Sequence, residues 1–342
     1  MAVVKADAYG HGAIEVSRIL TAEGACWLAV SSVEEGVALR QAGIGARILV
    51  MADNLVRTGA ALLEYGLTPV VQDLADLRAV DEAARAADRA LPYHLKIDTG
   101  MGRLGTRGAP EEAAAAIREA THARLEGLMT HFASSADYAS AQTGEQVKVF
   151  EEFRAGLRRA GIAPAYWHMA STNPIAYGRR EAWGNMVRPG HALYGYISPA
   201  RGEAPRRILE VKPALAWRAS VLTLKDVPEG ALIGYGGMFR APRPMRIAVL
   251  AVGYADGVSH RLSNRGKVIA AGKLVPILGA VSMDLTTIDV TECPSLRPGD
   301  AVTLLGSEAG VTLDAQQIAR AAGTISYAIL CGISARVKRV YV

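Results

Sequence analysis

The chain is poor in cysteine and has no long hydrophobic run. Its 342 residues include only three cysteines, which are far apart and lack metal-ligand spacing: Cys26, Cys293 and Cys331. An odd number of widely separated cysteines argues against a disulfide framework and indicates a reducing compartment. No apolar segment approaches the length that spans a bilayer, and no secretory signal pattern is present. We therefore predict a cytoplasmic protein with no metal site and no contact with a membrane.

Long runs of basic residues are also absent, although the formal net charge is +5. The lysines and arginines are scattered along the chain and are not interleaved with aromatic residues. Proteins that bind nucleic acid usually concentrate such residues on one face or in one stripe. We therefore interpret the charge as a solvated surface, part of which is reserved for an anionic small molecule, and do not expect nucleic acid as a partner.

Short apolar runs alternate with alanine-rich helical patterns in the first part of the chain. They amount to roughly eight β units, the number that closes a parallel barrel. An open doubly wound sheet is the alternative, but no G-x-G-x-x-G motif follows the first strand. The later pattern is β-like runs between Gly and Pro turns. We predict an α/β fold in which a (β/α)8 TIM-type barrel at 1–198 is followed by a linker at 199–216 and a mostly β domain at 217–342.

Polar side chains follow the ends of several predicted strands, where barrel enzymes carry their reacting groups. Lys5 ends the first strand, and a polar, glycine-rich turn comes directly after it. Hydroxyl side chains at 171–172 and a glycine at 190 follow the seventh and eighth strands, where such barrels typically hold phosphate. A strand-end lysine together with a phosphate site indicates pyridoxal phosphate, whose aldehyde is held by a lysine.

Five motifs follow one another along the chain: AVVKADAYGHG at 2–12, KIDTGMGRLG at 96–105, NMVRPGHALYG at 185–195, GYADG at 253–257 and SMD at 282–284. On these motifs the chain resembles the bacterial alanine racemases, pyridoxal-phosphate enzymes of fold type III, from its first residue to its last. The resemblance implies an isomerase that interconverts L-alanine and D-alanine and supplies D-alanine for cell-wall peptidoglycan. It also implies a cytoplasmic homodimer.

The resemblance implies two acid/base residues on opposite faces of the bound substrate, an arrangement that can invert a stereocentre. Lys5 would hold the cofactor covalently and act as one of them, and Tyr254 would act as the other from the partner subunit. Arg188 would face the pyridine nitrogen, to which an arginine can only donate. The remaining positions that match cofactor-binding residues are Tyr9, His131, Ser171, Thr172, Gly190, His191 and Tyr327.

Three more positions match residues around the substrate. Arg103 and Met283 correspond to residues near the substrate carboxylate, and Lys96 corresponds to a lysine that some members carbamylate. A plain ammonium group paired with a carboxylate is the alternative for Lys96. The family usually has Ala-Asn-Ser after the seventh strand, whereas this chain has Ala-Ser-Thr-Asn at 170–173. Either Thr172 or Ser171 would therefore bind the phosphate.

The family normally carries a further strand and helix before the lysine motif, so we expect that Met1 is not the natural start of the enzyme. A serine or broad-specificity racemase and a truncated, inactive homologue remain alternatives. A pyridoxal-phosphate decarboxylase would not need the GYADG tyrosine and would use a cysteine-containing motif that we do not find. Non-catalytic carriers of the cofactor are single barrels, unlike the predicted two-domain chain.

Overall fold

A computed structural model describes residues 1–342. The chain divides into two compact units. The first contains Met1–Ala8 and Gly12–Lys212, and the second contains Tyr9–His11 and Pro213–Val342. The short segment at 9–11 therefore groups with the C-terminal part of the chain, although it follows the first barrel strand in sequence. None of the helices has both the length and the apolar character that crossing a membrane requires.

The first unit contains a parallel sheet whose seven strands pair in sequence order. Its strands are almost entirely buried, as expected where helices cover a parallel sheet. The strands are β1 (Ala2–Val3), β2 (Trp27–Val30), β3 (Arg47–Val50), β4 (Thr68–Val71), β5 (Leu91–Lys96), β6 (Ala123–Met129) and β7 (Tyr166–His168). The helices are α1 (Lys5–Gly10), α2 (Ala13–Ala22), α3 (Val33–Gln41), α4 (Leu55–Glu64), α5 (Leu74–Ala86), α6 (Pro110–Glu119), α7 (Gln142–Arg159) and α8 (Thr172–Ala176).

An extended segment takes the place of the eighth strand that the sequence predicts at 186–188. On one side, the backbone nitrogen of Arg188 donates to the carbonyl of Ala170, just beyond β7, at 2.9 Å. On the other side, the backbone nitrogen of Val3 in β1 donates to the carbonyl of Pro189 at 3.0 Å. The segment is too irregular to count as a strand, but its backbone joins the last strand to the first. The predicted barrel is thus confirmed.

The helical turn α1, directly after β1, is left-handed. The four residues at 6–9 have φ angles between 52° and 55°, although none of them is glycine. L-residues avoid this conformation at a cost of about 1–2 kcal/mol each. One side chain from outside the turn and one within it make hydrogen bonds that hold it. Glu35 accepts a hydrogen bond from the backbone nitrogen of Ala6 at 2.6 Å, and Asp7 accepts one from the first amide of α2 at 2.7 Å.

The second unit is built on an antiparallel sheet, in agreement with the predicted β domain. Its strands are β8 (Trp217–Val227), β9 (Leu232–Ile233), β10 (Phe239–Arg240), β11 (Met245–Leu250), β12 (Lys267–Ala270), β13 (Lys273–Leu278), β14 (Thr286–Asp289), β15 (Ala301–Glu308) and β16 (Val311–Leu313). The main sheet has the order β12-β13-β14-β11-β8-β15-β16, and β12 also pairs with β15, which closes six strands into a ring. The unit ends in α9 (Ala315–Ala322) and α10 (Ser326–Cys331).

Candidate active site

Several basic side chains gather at the carboxyl ends of the barrel strands. Lys96 is the last residue of β5, and only 6% of it is exposed. Burial, followed by the nearby charges of Arg103, Arg188 and Lys5, lowers the pKa of its ammonium group to about 8. Residues predicted from three separate motifs therefore lie within electrostatic reach of Lys96. Together they create a strongly positive site.

Arg188 is the most deeply buried member of this group. Its Nη1 donates to Nδ1 and to the carbonyl oxygen of His168, at 2.7 and 2.8 Å. Its Nη2 donates to the carbonyls of Thr130 and Met169, at 2.7 and 3.0 Å. Burial lowers the pKa of the guanidinium to about 10. Because a buried cation held by uncharged groups is costly, the site favours an anionic ligand.

His131 follows β6 and lies against the same cations. Its Nδ1 is 3.4 Å from Nη2 of Arg188. Burial, together with Arg188, Lys96 and other nearby positive charges, lowers the pKa of the imidazole to about 3. His131 is therefore neutral at physiological pH, and it can orient a ligand without adding to the positive charge.

A hydroxyl group and two backbone amides meet where a phosphate is predicted. The Oγ1 atom of Thr172, the first residue of α8, accepts hydrogen bonds from the backbone nitrogens of Gly190 and Ala192, both at 3.2 Å. His191 between them is buried, and its ring stacks on Tyr196 with the centroids 5.2 Å apart. The side chain of Ser171 precedes α8 and makes no capping hydrogen bond. Thr172, not Ser171, thus faces the amides.

Two predicted phosphate-binding tyrosines come together in the second unit. The rings of Tyr9 and Tyr327 have their centroids 5.9 Å apart at an angle of 45°. Burial raises the pKa of the Tyr9 hydroxyl, and Tyr327 adds to the rise, so Tyr9 remains a neutral donor. At Gly10, with φ near 80°, a Cβ atom would lie 2.2 Å from the carbonyl oxygen of Leu330. This position therefore requires glycine, since the two backbones touch there.

Tyr254 and Met283 come from different motifs but lie side by side in the second unit. The backbone nitrogen of Tyr254 donates to the carbonyl of Ser282 at 2.9 Å, and the next amide donates to the carbonyl of Met283 at 3.0 Å. A Cβ atom on Gly253 would lie 2.3 Å from the carbonyl oxygens of both residues 282 and 283. The side chains of Tyr254 and Met283 are 45% and 54% exposed. The glycine allows this close approach and leaves both side chains accessible.

Sequence reasoning missed a glutamine that connects two loops of the site. Gln146 on α7 is 1% exposed. Its amide nitrogen donates to the hydroxyl of Thr99 and to the carbonyl of His131, both at 3.1 Å, while its amide oxygen accepts from the backbone nitrogen of Ala133 at 3.0 Å. The loops after β5 and β6 are thereby tied together. A single glutamine in an amphipathic helix carries no sequence signal that would reveal this role.

The chain is similar to known proteins over its whole length. Family models for the alanine racemase N-terminal domain and C-terminal domain match residues 1–199 and 214–341. The alanine racemase of Halothermothrix orenii is 41% identical over 345 residues, which cover 100% of this chain and 89% of that protein.

Solved structures give the same result. Alanine racemase from Streptomyces coelicolor A3(2) aligns with a TM-score of 0.93 at 34% identity, covering 100% of this chain and 91% of that one. The alanine racemase from Bartonella henselae, solved with covalently bound pyridoxal phosphate, aligns with a TM-score of 0.87 at 26% identity, covering 100% and 92%. The similarity spans both domains in the family's order and confirms the relationship that the five motifs indicate. The chain belongs to the alanine racemase family.

Proposed function

We propose that this protein interconverts L-alanine and D-alanine with pyridoxal phosphate as its cofactor. The observation that carries the proposal is the grouping of Lys5 with Lys96, Arg103 and the buried Arg188 at the carboxyl ends of the barrel strands. An amine beside three further cations fits a cofactor that needs a lysine and carries a phosphate, together with a substrate that carries a carboxylate.

The residues that would hold the cofactor fit its parts. The hydroxyl of Thr172 and the amides of Gly190 and Ala192 form a polar cradle suited to phosphate oxygens. We assign the phosphate contact to Thr172 instead of Ser171, because only the Thr172 hydroxyl meets these amides. Tyr9 and Tyr327 would add hydroxyl donors, and Ser171 and His191 would flank the cradle.

Around the pyridine ring, Arg188 and His131 have complementary tasks. Arg188 can only donate hydrogen bonds, so it would hold the ring nitrogen as an acceptor. The chemistry that pyridoxal phosphate supplies is covalent attachment of an amino group and withdrawal of electrons from the carbon that bears it. Neutral His131 would pack at the ring's edge and support its orientation.

Racemisation requires one base on each face of the reacting carbon. We assign Lys5 to one face and Tyr254 to the other, with Arg103 and Met283 near the substrate carboxylate. Each base would accept the α-proton in one direction of reaction and return a proton in the other. Replacing Tyr254 by phenylalanine should therefore slow racemisation in both directions while the absorbance of the bound cofactor persists. Racemisation at the wild-type rate in this variant would contradict the assignment.

We propose that the protein is a homodimer in which Tyr254 acts in the partner's site. The exposure of Tyr254 and Met283 supports this, because two large side chains on one surface can be covered by a second copy. Mixing inactive Lys5→Ala and Tyr254→Phe proteins tests it directly. Action across the interface leaves one intact site in each mixed dimer, so activity should return. Action within one subunit leaves no intact site, and the mixture would stay inactive.

Lys96 is proposed to carry a carbamate. Its lowered pKa supports this, because the neutral amine adds to carbon dioxide and releases a proton. The resulting anion would offset the charges of Arg103 and Arg188 and orient Arg103. Enzyme equilibrated with 13C-bicarbonate should show a carbamate carbon signal that is missing in Lys96→Ala, and acetate should partly restore the activity of that variant. A wild-type spectrum without the signal would favour the plain ammonium group.

We propose the cytoplasm as the site of action, the supply of D-alanine for peptidoglycan as the role, and 1–198, 199–216 and 217–342 as barrel, linker and β domain. The decisive experiment measures D-amino-acid products from L-alanine, L-serine and other small amino acids. Alanine should give the highest kcat/KM. Faster turnover of serine would identify a serine or broad-specificity racemase, and no product would reject the racemase function. Lys5→Ala should lose the absorbance of the bound cofactor.

A further inference from the structure

A row of polar side chains crosses the barrel interior and ends at Arg188, which is assigned above to the cofactor ring. We call these five residues the barrel relay: Arg47, Glu126, His94, His168 and Arg188. Nη1 of Arg188 is 2.7 Å from Nδ1 of His168, and Nε2 of His168 is 2.8 Å from Nδ1 of His94. Nε2 of His94 faces Oε2 of Glu126 at 3.8 Å. Both carboxylate oxygens of Glu126 accept from Arg47, at 2.6 and 2.5 Å.

The relay is partly exposed at its Arg47 end and buried from His94 to Arg188. His94 and His168 are fully buried, whereas the side chains of Glu126 and Arg47 are 19% and 41% exposed. Burial lowers the pKa of both imidazoles, that of His168 most strongly. Burial opposes the ionisation of Glu126, but interactions with His94 and Arg47 outweigh it and lower the pKa of Glu126 to about 2. The relay thus has neutral histidines between a carboxylate and a guanidinium.

The two ends of the relay determine where each imidazole proton lies. A guanidinium only donates, so Nδ1 of His168 must accept and its proton must be on Nε2. That proton is donated to Nδ1 of His94, which places the His94 proton on Nε2, towards Glu126. A carboxylate only accepts and prefers this arrangement. The 3.8 Å separation is too long for a direct hydrogen bond, so the carboxylate acts on His94 mainly through its charge.

We propose that Glu126 is a positioning residue for Arg188, acting through the fixed tautomers of His94 and His168. When the Glu126 carboxylate is charged, His168 presents an unprotonated Nδ1 to Arg188 and holds the guanidinium in place. Without that charge, both imidazoles can carry their protons on Nδ1. His168 would then direct an N–H group at a guanidinium N–H group. The inference rests on the proposed function only in assigning Arg188 to the cofactor ring.

The primary test reads the imidazole tautomers directly. Holoenzyme labelled with 15N-histidine should show, for His94 and His168, protonated Nε2 and bare Nδ1, with signals assigned from the variants His94→Gln and His168→Gln. In Glu126→Gln we expect a protonated Nδ1 signal to appear for His168. Wild-type protein with Nδ1 of His168 protonated would overturn the proposal, and so would unchanged tautomers in Glu126→Gln.

Kinetics provide the second readout. Substitution of a group that orients a metal-bound histidine typically costs tenfold or more in activity. By the same logic Glu126→Gln should lower kcat about tenfold with little change in KM. The matched control is Glu151→Gln, which removes the carboxylate of another arginine pair, with Arg154 on α7. It should leave both the tautomers and kcat unchanged. Equal kcat losses in the two variants would refute a specific role for Glu126.

Failure of the relay and failure of the proposed function give different results. If the wild type does not racemise alanine, the proposed function fails while the tautomer measurement still reports on the relay. If racemisation occurs and Glu126→Gln leaves the tautomers unchanged, the relay alone is rejected. Arg47→Gln separates charge from packing, because it removes the surface ion pair but keeps the carboxylate of Glu126. It should therefore retain the wild-type tautomers.

Discussion

Because the turn after β1 is left-handed, replacing alanine by glycine should change the free energy of unfolding in opposite directions at positions 6 and 38. Ala6 is exposed and has a φ of 52°, whereas Ala38 is exposed within the right-handed helix α3. Replacing either alanine by glycine increases the freedom of the unfolded chain by the same amount, which costs roughly 0.5–1 kcal/mol. At Ala6 the replacement also removes the penalty that an L-residue pays in the left-handed region.

The magnitude follows from this difference. The left-handed conformation costs an L-residue about 1–2 kcal/mol, and this cost disappears with glycine. Ala6→Gly should therefore raise the free energy of unfolding by about 0.5–1 kcal/mol. Ala38→Gly should lower it by about 1 kcal/mol. The unfolded-state contribution is the same in both variants. The difference between their changes in the free energy of unfolding therefore measures the strain at position 6 alone.

Urea unfolding monitored by circular dichroism is a suitable assay. Both alanines belong to the first unit, so the same transition reports on both substitutions. The hydrogen bond from the backbone nitrogen at position 6 to Glu35 does not depend on the side chain and should persist in Ala6→Gly. Equal destabilisation by both variants would show that the turn is not strained, and the reasoning from its φ angles would be wrong.

Three other predictions follow from close contacts and from charge. Gly253→Ala should slow racemisation but keep the cofactor absorbance, because a Cβ atom 2.3 Å from two carbonyl oxygens displaces the adjacent Tyr254; unchanged kcat would contradict this. Thr172→Val should weaken cofactor binding about tenfold, because the phosphate loses the hydroxyl that would donate to it; equilibrium dialysis measures this, and unchanged affinity would exclude the phosphate contact. Glu126 has a folded pKa of about 2, below its unfolded value, so its stabilising effect is present above about pH 4.3 and is lost as pH falls towards 2. The free energy of unfolding of Glu126→Gln, measured in urea, should therefore change less with pH across that window. The same change with pH as in the wild type would contradict the lowered pKa of Glu126.

The barrel and many of the positions proposed for its site were predictable because their signals are local. Short apolar runs between helical patterns indicate parallel strands, and polar motifs follow where those strands end. The strands β2 and β4 have the bounds that the apolar runs at 27–30 and 68–71 predict. These features depend on nearest neighbours in sequence, and the hydrophobic period reveals them.

The handedness of α1 was not predictable in the same way. The residues at 6–9 include no glycine, so nothing in their composition indicates positive φ angles. Glu35, which lies 29 residues away in sequence, accepts a hydrogen bond that helps to hold the turn. The predicted strand at 186–188 fails as a regular strand for a related reason. Its hydrogen bonds depend on backbone on both sides, and Pro189 cannot donate one of its own.

Gln146, His94 and Glu126 were missed because each acts through a distant partner. His94 contacts His168 across 74 positions of sequence, and Glu126 contacts Arg47 across 79. A lone histidine in a buried strand or a lone glutamate on its edge has many ordinary explanations. Only the fold shows that they form one row that ends at Arg188.

The hydrogen bond that joins Val3 to Pro189 has a consequence for how the protein is made. It connects the first strand of the barrel to residues synthesised almost two hundred positions later, so the ring cannot close while the chain is short. Contacts of such long sequence separation form slowly, because much loop entropy is lost before they are made. Lys5 therefore leaves the ribosome long before its proposed partners at 188–192, and the site proposed for it forms only after the barrel has closed.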